Sequence, residues 1–234
     1  VKSFSPEFKK KILYLLLITG GLFTFFGFIQ YFFYSNLRNL YYLGWDEHMH
    51  RMFSTFLDPN FAGAFFVLYL FLLLSLLLYF FNNKIKQAKF IGLISVFSLI
   101  SIFLTYSRSA LIMLLVSTII FSILTKKIKW LFGVILISTV FIAISSKSFN
   151  IENINLFRIA STEARVDSAK IAIQIIKDSP ILGIGFNTYR FAQVKYGNFN
   201  FDSPQGGHSG AGTDSSILLV AAMTGIFGFI SVIF

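Results

Sequence analysis

Long uncharged apolar runs dominate this chain, and they leave it few folds to choose from. They occur at Ile12–Leu37, Phe61–Asn83, Phe90–Ser107, Ser109–Thr125, Trp130–Ser146 and Ser215–Phe234. A transmembrane helix needs about 20 apolar residues, so each run is a candidate span. In lipid the backbone must satisfy its own hydrogen bonds, and runs of this length do so as helices. The expected fold is therefore all-α: a polytopic transmembrane bundle of about six spans. One polar stretch, Lys147 to Thr213, interrupts the pattern. The sequence thus divides into residues 1–146 with five spans, a polar loop at 147–213, and a sixth span at 214–234. A membrane protein with one large polar loop is expected to work there.

Charge placement sets the expected orientation. Only 13% of residues are charged, against about 25% in a soluble domain. Lys2, Lys9, Lys10 and Lys11 precede the first span. Lys84, Lys86 and Lys89 follow the second, and Lys126, Lys127 and Lys129 follow the fourth. These clusters alternate as the positive-inside rule requires, which makes them cytoplasmic. Glu7 is the only acid among them. The others, including Asp46, Glu47, Asp58, Glu163, Asp167 and Asp214, fall on the opposite side. The net charge of +10 is thus a topology signal and not a nucleic-acid surface. The large loop is expected to be extracytoplasmic, with short amphipathic helices near the membrane surface. The first apolar run is too long for a signal peptide and lacks a small-residue cleavage site. The chain opens on Val1 and ends at Phe234 within an apolar run, so it is expected to be part of a larger protein.

Inside the loop, Ser161 to Lys177 alternates apolar and polar residues at helical spacing. Ser161 or Thr162 is the expected cap and Ser179-Pro180 the expected stop. Pro180-Ile-Leu-Gly183-Ile-Gly185 reads as a turn with close backbone approach, and Thr188 to Lys195 as a second short helix. Gly197 to Gly212 is rich in glycine and reads as mobile. Asp58-Pro59 reads as an N-cap with proline in the first turn. The absence of cysteine removes thiolate nucleophiles and zinc–thiolate sites. Asp46-Glu47-His48-Met49-His50 has metal-ligand residue types, but its spacing matches no strong site. No metal and no cofactor are expected.

Three segments occur in the order found in a known family. They are Arg51 through Asp58-Pro59-Asn60 to Gly63; Thr105-Tyr-Ser107-Arg108-Ser-Ala110; and Ala164-Arg165 through Asp178-Ser-Pro180-Ile-Leu-Gly183-Ile-Gly185, followed by Ala222-Met-Thr224-Gly225-Ile-Phe-Gly228. Together they resemble the O-antigen ligase and O-antigen polymerase superfamily of membrane glycosyltransferases. The resemblance implies a polyprenyl-pyrophosphate glycan as donor, a saccharide or lipid-linked acceptor, and metal-independent transfer at the outer face of the membrane. It also implies that Arg108 and Arg165 contact the lipid pyrophosphate. Many members carry a His-Asn pair before the Thr-Gly-Ile segment. Here those positions hold Asp214 and Ser215, with His208 upstream, so the expected general base is Asp214 or His208.

Plainer readings stand beside these. Arg108 fits a snorkelling cation at a helix end, and Arg165 a solvated helix residue. Asp214 fits an N-cap of the last span, and His208 a solvated loop side chain. Asn60, Arg158 and Arg190 are further possible substrate contacts. The alternative function is a transporter or flippase for lipid-linked glycan. Such proteins place ionisable residues near the bilayer midplane, whereas these runs carry none. A scaffolding membrane protein is a third option.

Overall fold

The computed structural model describes residues 4–43, 45–80, 85–126, 129–148, 160–196, 212–213 and 215–233. The fold is all-helical. The helices are α1 (Pro6–Phe33), α2 (Pro59–Phe80), α3 (Ile85–Leu104), α4 (Arg108–Thr125), α5 (Lys129–Ser148), α6 (Ala160–Asp178), α7 (Tyr189–Lys195) and α8 (Ser216–Ile233). Among the described residues, α1 to α4 are long and apolar enough to cross a membrane, while Phe132–Phe141 and Ser216–Val232 form shorter apolar helices. The six expected spans correspond to α1 to α5 and α8, of which α5 and α8 carry their apolar stretches at Phe132–Phe141 and Ser216–Val232 among the described residues.

The chain divides into two compact units. One holds residues 1–36 and 48–156, and the other holds 37–47 and 157–234.

The first unit is built from α1 to α5. Ser5 caps α1 by accepting from the Phe8 amide at 3.3 Å, with Pro6 at the first helical position, where its missing amide costs nothing. α3 and α4 form a hairpin joined by residues 105–107. Phe66, Val67, Leu73, Ile102 and Leu114 are fully buried between the helices, with Met52 and Phe53 of the segment after α1. Phe23 packs its ring against Phe56, Phe65 and Phe66 at 4.6–5.0 Å. Large side chains such as Phe32, Phe33, Leu68 and Ile112 point outward, as a lipid-facing surface demands.

Polar atoms in this core are answered locally. The hydroxyls of Ser95, Ser101 and Thr118 donate to carbonyl oxygens one turn earlier in their own helices, at 2.7–3.0 Å. Ser98 instead donates across to the Phe66 carbonyl at 3.2 Å, tying α3 to α2. Without water nearby, an unanswered hydroxyl would carry its full desolvation cost.

The second unit packs α6 against α8 through Ala172, Ile175 and Ala222, with Tyr189 of α7 closing the cluster. Its first piece is a 3-10 turn, Arg38–Leu43, held by the Leu37 amide on the Glu47 carbonyl at 2.7 Å and by an exposed Arg38–Glu47 ion pair at 3.2 Å.

Candidate functional site

In the first unit, the candidate residues Asn60 and Arg108 lie where the N-termini of α2 and α4 meet. Asp58 caps α2: its Oδ1 accepts from the amides of Asn60 at 2.6 Å and Phe61 at 3.0 Å. This is the N-cap and first-turn proline expected from the sequence. Ser107 caps α4 by accepting from the Ala110 amide at 3.3 Å. The Ser107 hydroxyl donates to Asn60 Oδ1 at 2.8 Å and lies 2.9 Å from Ser109 Oγ. Asn60 therefore serves as a clamp between two helix starts. The approach is close because residue 63 is glycine: a Cβ there would stand 2.6 Å from the Ala110 Cβ.

Arg108 is the first residue of α4, half-buried, and α4 has no acid in its first turn. A helix N-terminus carries partial positive charge and favours anions. A cation there runs against the local preference, and a second helix start beside it strengthens the positive field. The Asp58 carboxylate caps the other helix start. Two convergent helix N-termini with an arginine between them can bind phosphate oxygens.

The hairpin that carries Arg108 is fixed from below by a residue whose role sequence reasoning missed. Arg51 is buried; its Nε donates to the Thr105 carbonyl at 2.8 Å and its Nη2 to the Tyr106 carbonyl at 3.4 Å. The Met52 amide donates to the Leu104 carbonyl at 2.8 Å. These bonds satisfy the open carbonyls at the end of α3. Gln30 holds the same segment from the other side. Its Oε1 accepts from the Phe53 and Ser54 amides at 2.8 and 3.0 Å, and its Nε2 donates to the Arg51 and Tyr34 carbonyls. A lone glutamine inside the first apolar run was the available signal, since polar side chains are expensive there.

In the second unit, Arg165 is exposed on α6 and Arg190 half-buried on α7. α6 begins at Ala160, so Ser161 and Thr162 lie inside its first turn and not ahead of it as a cap. Beyond α6 the loop from Pro180 to Gly185 locks onto a break in α8. Gly225 has φ 64° and ψ −166°, outside helical geometry. The break frees the carbonyls of Ala222 and Met223, which accept from the amides of Ile184 at 3.0 Å and Gly185 at 2.9 Å. The Ile226 amide donates to the Pro180 carbonyl at 2.9 Å. Gly183, at φ 69°, and Gly225 face each other so closely that a Cβ on either would strike the opposite backbone at 2.3–2.4 Å. The close backbone approach expected at Pro180–Gly185 is found.

The run into α8 is held by polar contacts. Ser168 of α6 donates to Thr213 Oγ1 at 3.1 Å, and Gln193 of α7 to the Gly212 carbonyl at 3.4 Å. Ser215 takes the capping part, its Oγ accepting from the Leu218 amide at 3.4 Å. Beside them the Tyr189 hydroxyl is buried near Gln193 and Thr213, and it has no well-formed hydrogen bond among the described residues. Burial pushes its ionisation above the ordinary phenol value. Asp214, His208 and Arg158 lie outside the described residues. Among the described residues no three His, Asp or Glu side chains gather as a metal site.

A protein-family model described as O-antigen ligase matches residues 93–233. The chain belongs to the O-antigen ligase family. No curated protein and no solved structure matches it. The matched stretch takes in most of α3, the Ser107-Arg108 hairpin, the Arg165 helix, the Pro180–Gly185 loop and the broken α8. Arg51 and Asn60 stand outside it, yet both bond to the hairpin inside it. With its apolar helices, the family places the protein in a membrane and in polysaccharide assembly.

Proposed function

We propose that this protein transfers a glycan from a polyprenyl-pyrophosphate lipid to an acceptor hydroxyl at the outer face of the membrane. The observation that carries the reading is the family match across residues 93–233, which contains both Arg108 and Arg165. The acceptor oxygen attacks the anomeric carbon as the bond to the pyrophosphate oxygen breaks. Negative charge grows on the leaving pyrophosphate, where Arg108 and Arg165 stabilise it. Fixed cations aimed at developing charge are an effective source of rate, and the guanidinium fork matches phosphate oxygens. The acceptor proton passes to Asp214 or His208, either of which has suitable chemistry. Arg158 and Arg190 are further candidates for donor contacts. The N-terminal segment is cytoplasmic and the 147–213 loop extracytoplasmic, by the placement of the lysines. The reaction needs no metal or cofactor.

The test is transfer in lipid by the full-length protein from a polyprenyl-pyrophosphate glycan, with and without a chelator. Wild type is compared with Arg108→Ala, Arg165→Ala and Asp214→Ala. Chelator-resistant transfer lost in both arginine variants is the expected result. Transfer that survives Arg165→Ala would remove that residue from the site. Movement of the lipid across the bilayer without glycosidic bond formation would replace the reading by transport.

A further inference from the structure

We infer that the first unit holds an anionic phospholipid in a slot between α2, α3 and α5, with its phosphate at Lys129. The slot has a volume of about 460 Å³, within the range of roughly 300–1,000 Å³ typical of small-molecule sites. Its walls are Leu70 and Leu77 of α2, Val96 and Leu99 of α3, and Val134 and Ile137 of α5. Ser95 also lines it, but the Ser95 hydroxyl is already spent on the Ile91 carbonyl at 2.8 Å. The walls therefore suit a hydrocarbon chain.

The slot has polarity along its length. α5 packs along α4 and touches α3 and its hairpin at the far end, where Phe141 meets the rings of Phe103 at 4.7 Å and Tyr106 at 5.5 Å. Towards the other end α5 stands off from α2 and α3, and the slot lies in that gap. Lys129, the first residue of α5, forms its rim. From Lys129 to Ile137 is about 12 Å along a helix, close to the depth of one leaflet of a hydrocarbon core about 30 Å thick.

The rim carries charge of one sign. Lys86 and Lys89 stand in the first turns of α3, Lys126 follows α4 and Lys129 opens α5, beside the α2–α3 and α4–α5 connections, and no acid occurs in the sequence between Asp58 and Glu152. Those connections lie at the same end of the hairpins. A slot for one acyl chain below an all-cationic rim complements a lipid with an anionic headgroup. Basic residues at a bilayer surface attract such lipids. The inference is independent of the transfer reaction.

Two glycines make the test clean. A Cβ added at Gly133 meets nothing within 4 Å, and one at Gly92 meets only the Leu77 side chain at 3.8 Å. Gly133→Leu therefore starts from an unobstructed Cβ and projects its side chain into the slot that Gly133 lines, and it favours the helix. The experiment is native mass spectrometry of the full chain, titrated with phosphatidylglycerol, phosphatidylcholine or polyprenyl phosphate. Wild type should retain one phosphatidylglycerol about fivefold more tightly than phosphatidylcholine, the preference one lysine confers. Lys129→Gln should erase that preference, and Gly133→Leu should lose the bound lipid. Equal retention of both phospholipids, or retention unchanged in both variants, would overturn the inference. So would tighter binding of polyprenyl phosphate, or a dimer that dissociates in Gly133→Leu, since donor lipid or a second copy would then fill the slot.

Discussion

Arg51 Nε donates to the Thr105 carbonyl oxygen at 2.8 Å, across 54 residues of sequence. The bond joins the segment leading into α2 to the turn that opens α4. It places a buried guanidinium against the carbonyl end of α3, where a helix favours positive charge. Tyr106 in this turn sits at φ 48°, a left-handed conformation that costs a non-glycine residue about 1–2 kcal/mol. Arg51 holds the turn in that form, and the turn sets where Arg108 emerges.

Arg51→Ala should therefore destabilise the protein. It leaves two buried carbonyls without their donor, at about 1–3 kcal/mol for each unsatisfied group. Arg51→Lys keeps the charge but loses the fork, so it should fall between wild type and alanine. Thermal unfolding in detergent measures the order. A fully stable Arg51→Ala would show that the hairpin holds itself.

Arg108 differs from Arg51 in that it opposes the dipole of its own helix. Arg108→Ala should leave thermal stability unchanged or slightly raised while transfer falls by about 100- to 1,000-fold, the scale for losing one transition-state donor. Arg108→Lys should recover part of the rate. Ser107→Ala removes the cap and the Asn60 clamp, and should cost about 1 kcal/mol of stability with a smaller loss of transfer. A loss of stability in Arg108→Ala equal to the loss of activity would mark Arg108 as structural.

The lock between Gly183 and Gly225 leads to a backbone prediction. At φ 64° and ψ −166° a residue occupies a region essentially reserved for glycine. Gly225→Ala meets both that strain and a backbone collision, so it should destabilise the second unit by more than the roughly 1–3 kcal/mol of the strain alone. Limited proteolysis of the α6–α8 region would read the difference. Equal protection of Gly225→Ala and wild type would mean that α8 is straight in solution.

The Tyr189 hydroxyl gives a prediction of the opposite sign. Removing a buried hydroxyl that finds no well-formed hydrogen bond among the described residues lifts a desolvation cost. Tyr189→Phe should therefore unfold at the same temperature as wild type or higher. Transfer measured on the same sample separates packing from chemistry: an unchanged rate assigns the ring alone a role. A clear drop in unfolding temperature would show that the hydroxyl is bonded.

What the sequence made legible was whatever depends on neighbours along the chain. The apolar runs became helices, Asp58-Pro59 started α2, and Ser179-Pro180 marked the end of α6 at Asp178. Ser107-Arg108 opened α4, three residues beyond the end of α3. Contacts between distant residues were not legible. Arg51 stood out only as the start of the first family-like segment, because the carbonyls it bonds arrive from another hairpin. Thr224-Gly225 looked like part of one continuous span because the break is stabilised by amides and a carbonyl from Pro180–Gly185. Asp214, read as the cap of the last helix, lies outside the described residues; next to it the hydroxyl of Ser215 accepts the Leu218 amide. Asn60 read as a possible substrate contact, and its bond to Ser107, 47 residues away, was not legible.

The exposed clasp between α6 and α7 carries the pH prediction. Asp178 accepts from the Tyr196 hydroxyl and from Lys195 Nζ at 2.9 Å. The tyrosine bond first, and the lysine second, hold its carboxyl below the ordinary value of 3.8. Asp178 also raises Lys195 above 10.5 and Tyr196 above 10.0. A depressed carboxyl stabilises the fold above its unfolded value, and that contribution disappears as pH falls through the folded value. A raised lysine or phenol stabilises the fold below its unfolded value, and that contribution is lost as pH rises through the folded one. The clasp should therefore hold from about pH 4 to pH 10 and release only outside that window. Hydrogen exchange of residues 189–195, corrected for the intrinsic pH dependence, should be flat across that range and faster below it. Asp178→Asn should bring the faster exchange to pH 7. If α7 in Asp178→Asn stayed as protected as wild type at pH 7, the burial of Tyr189 and Gln193 alone would be holding it.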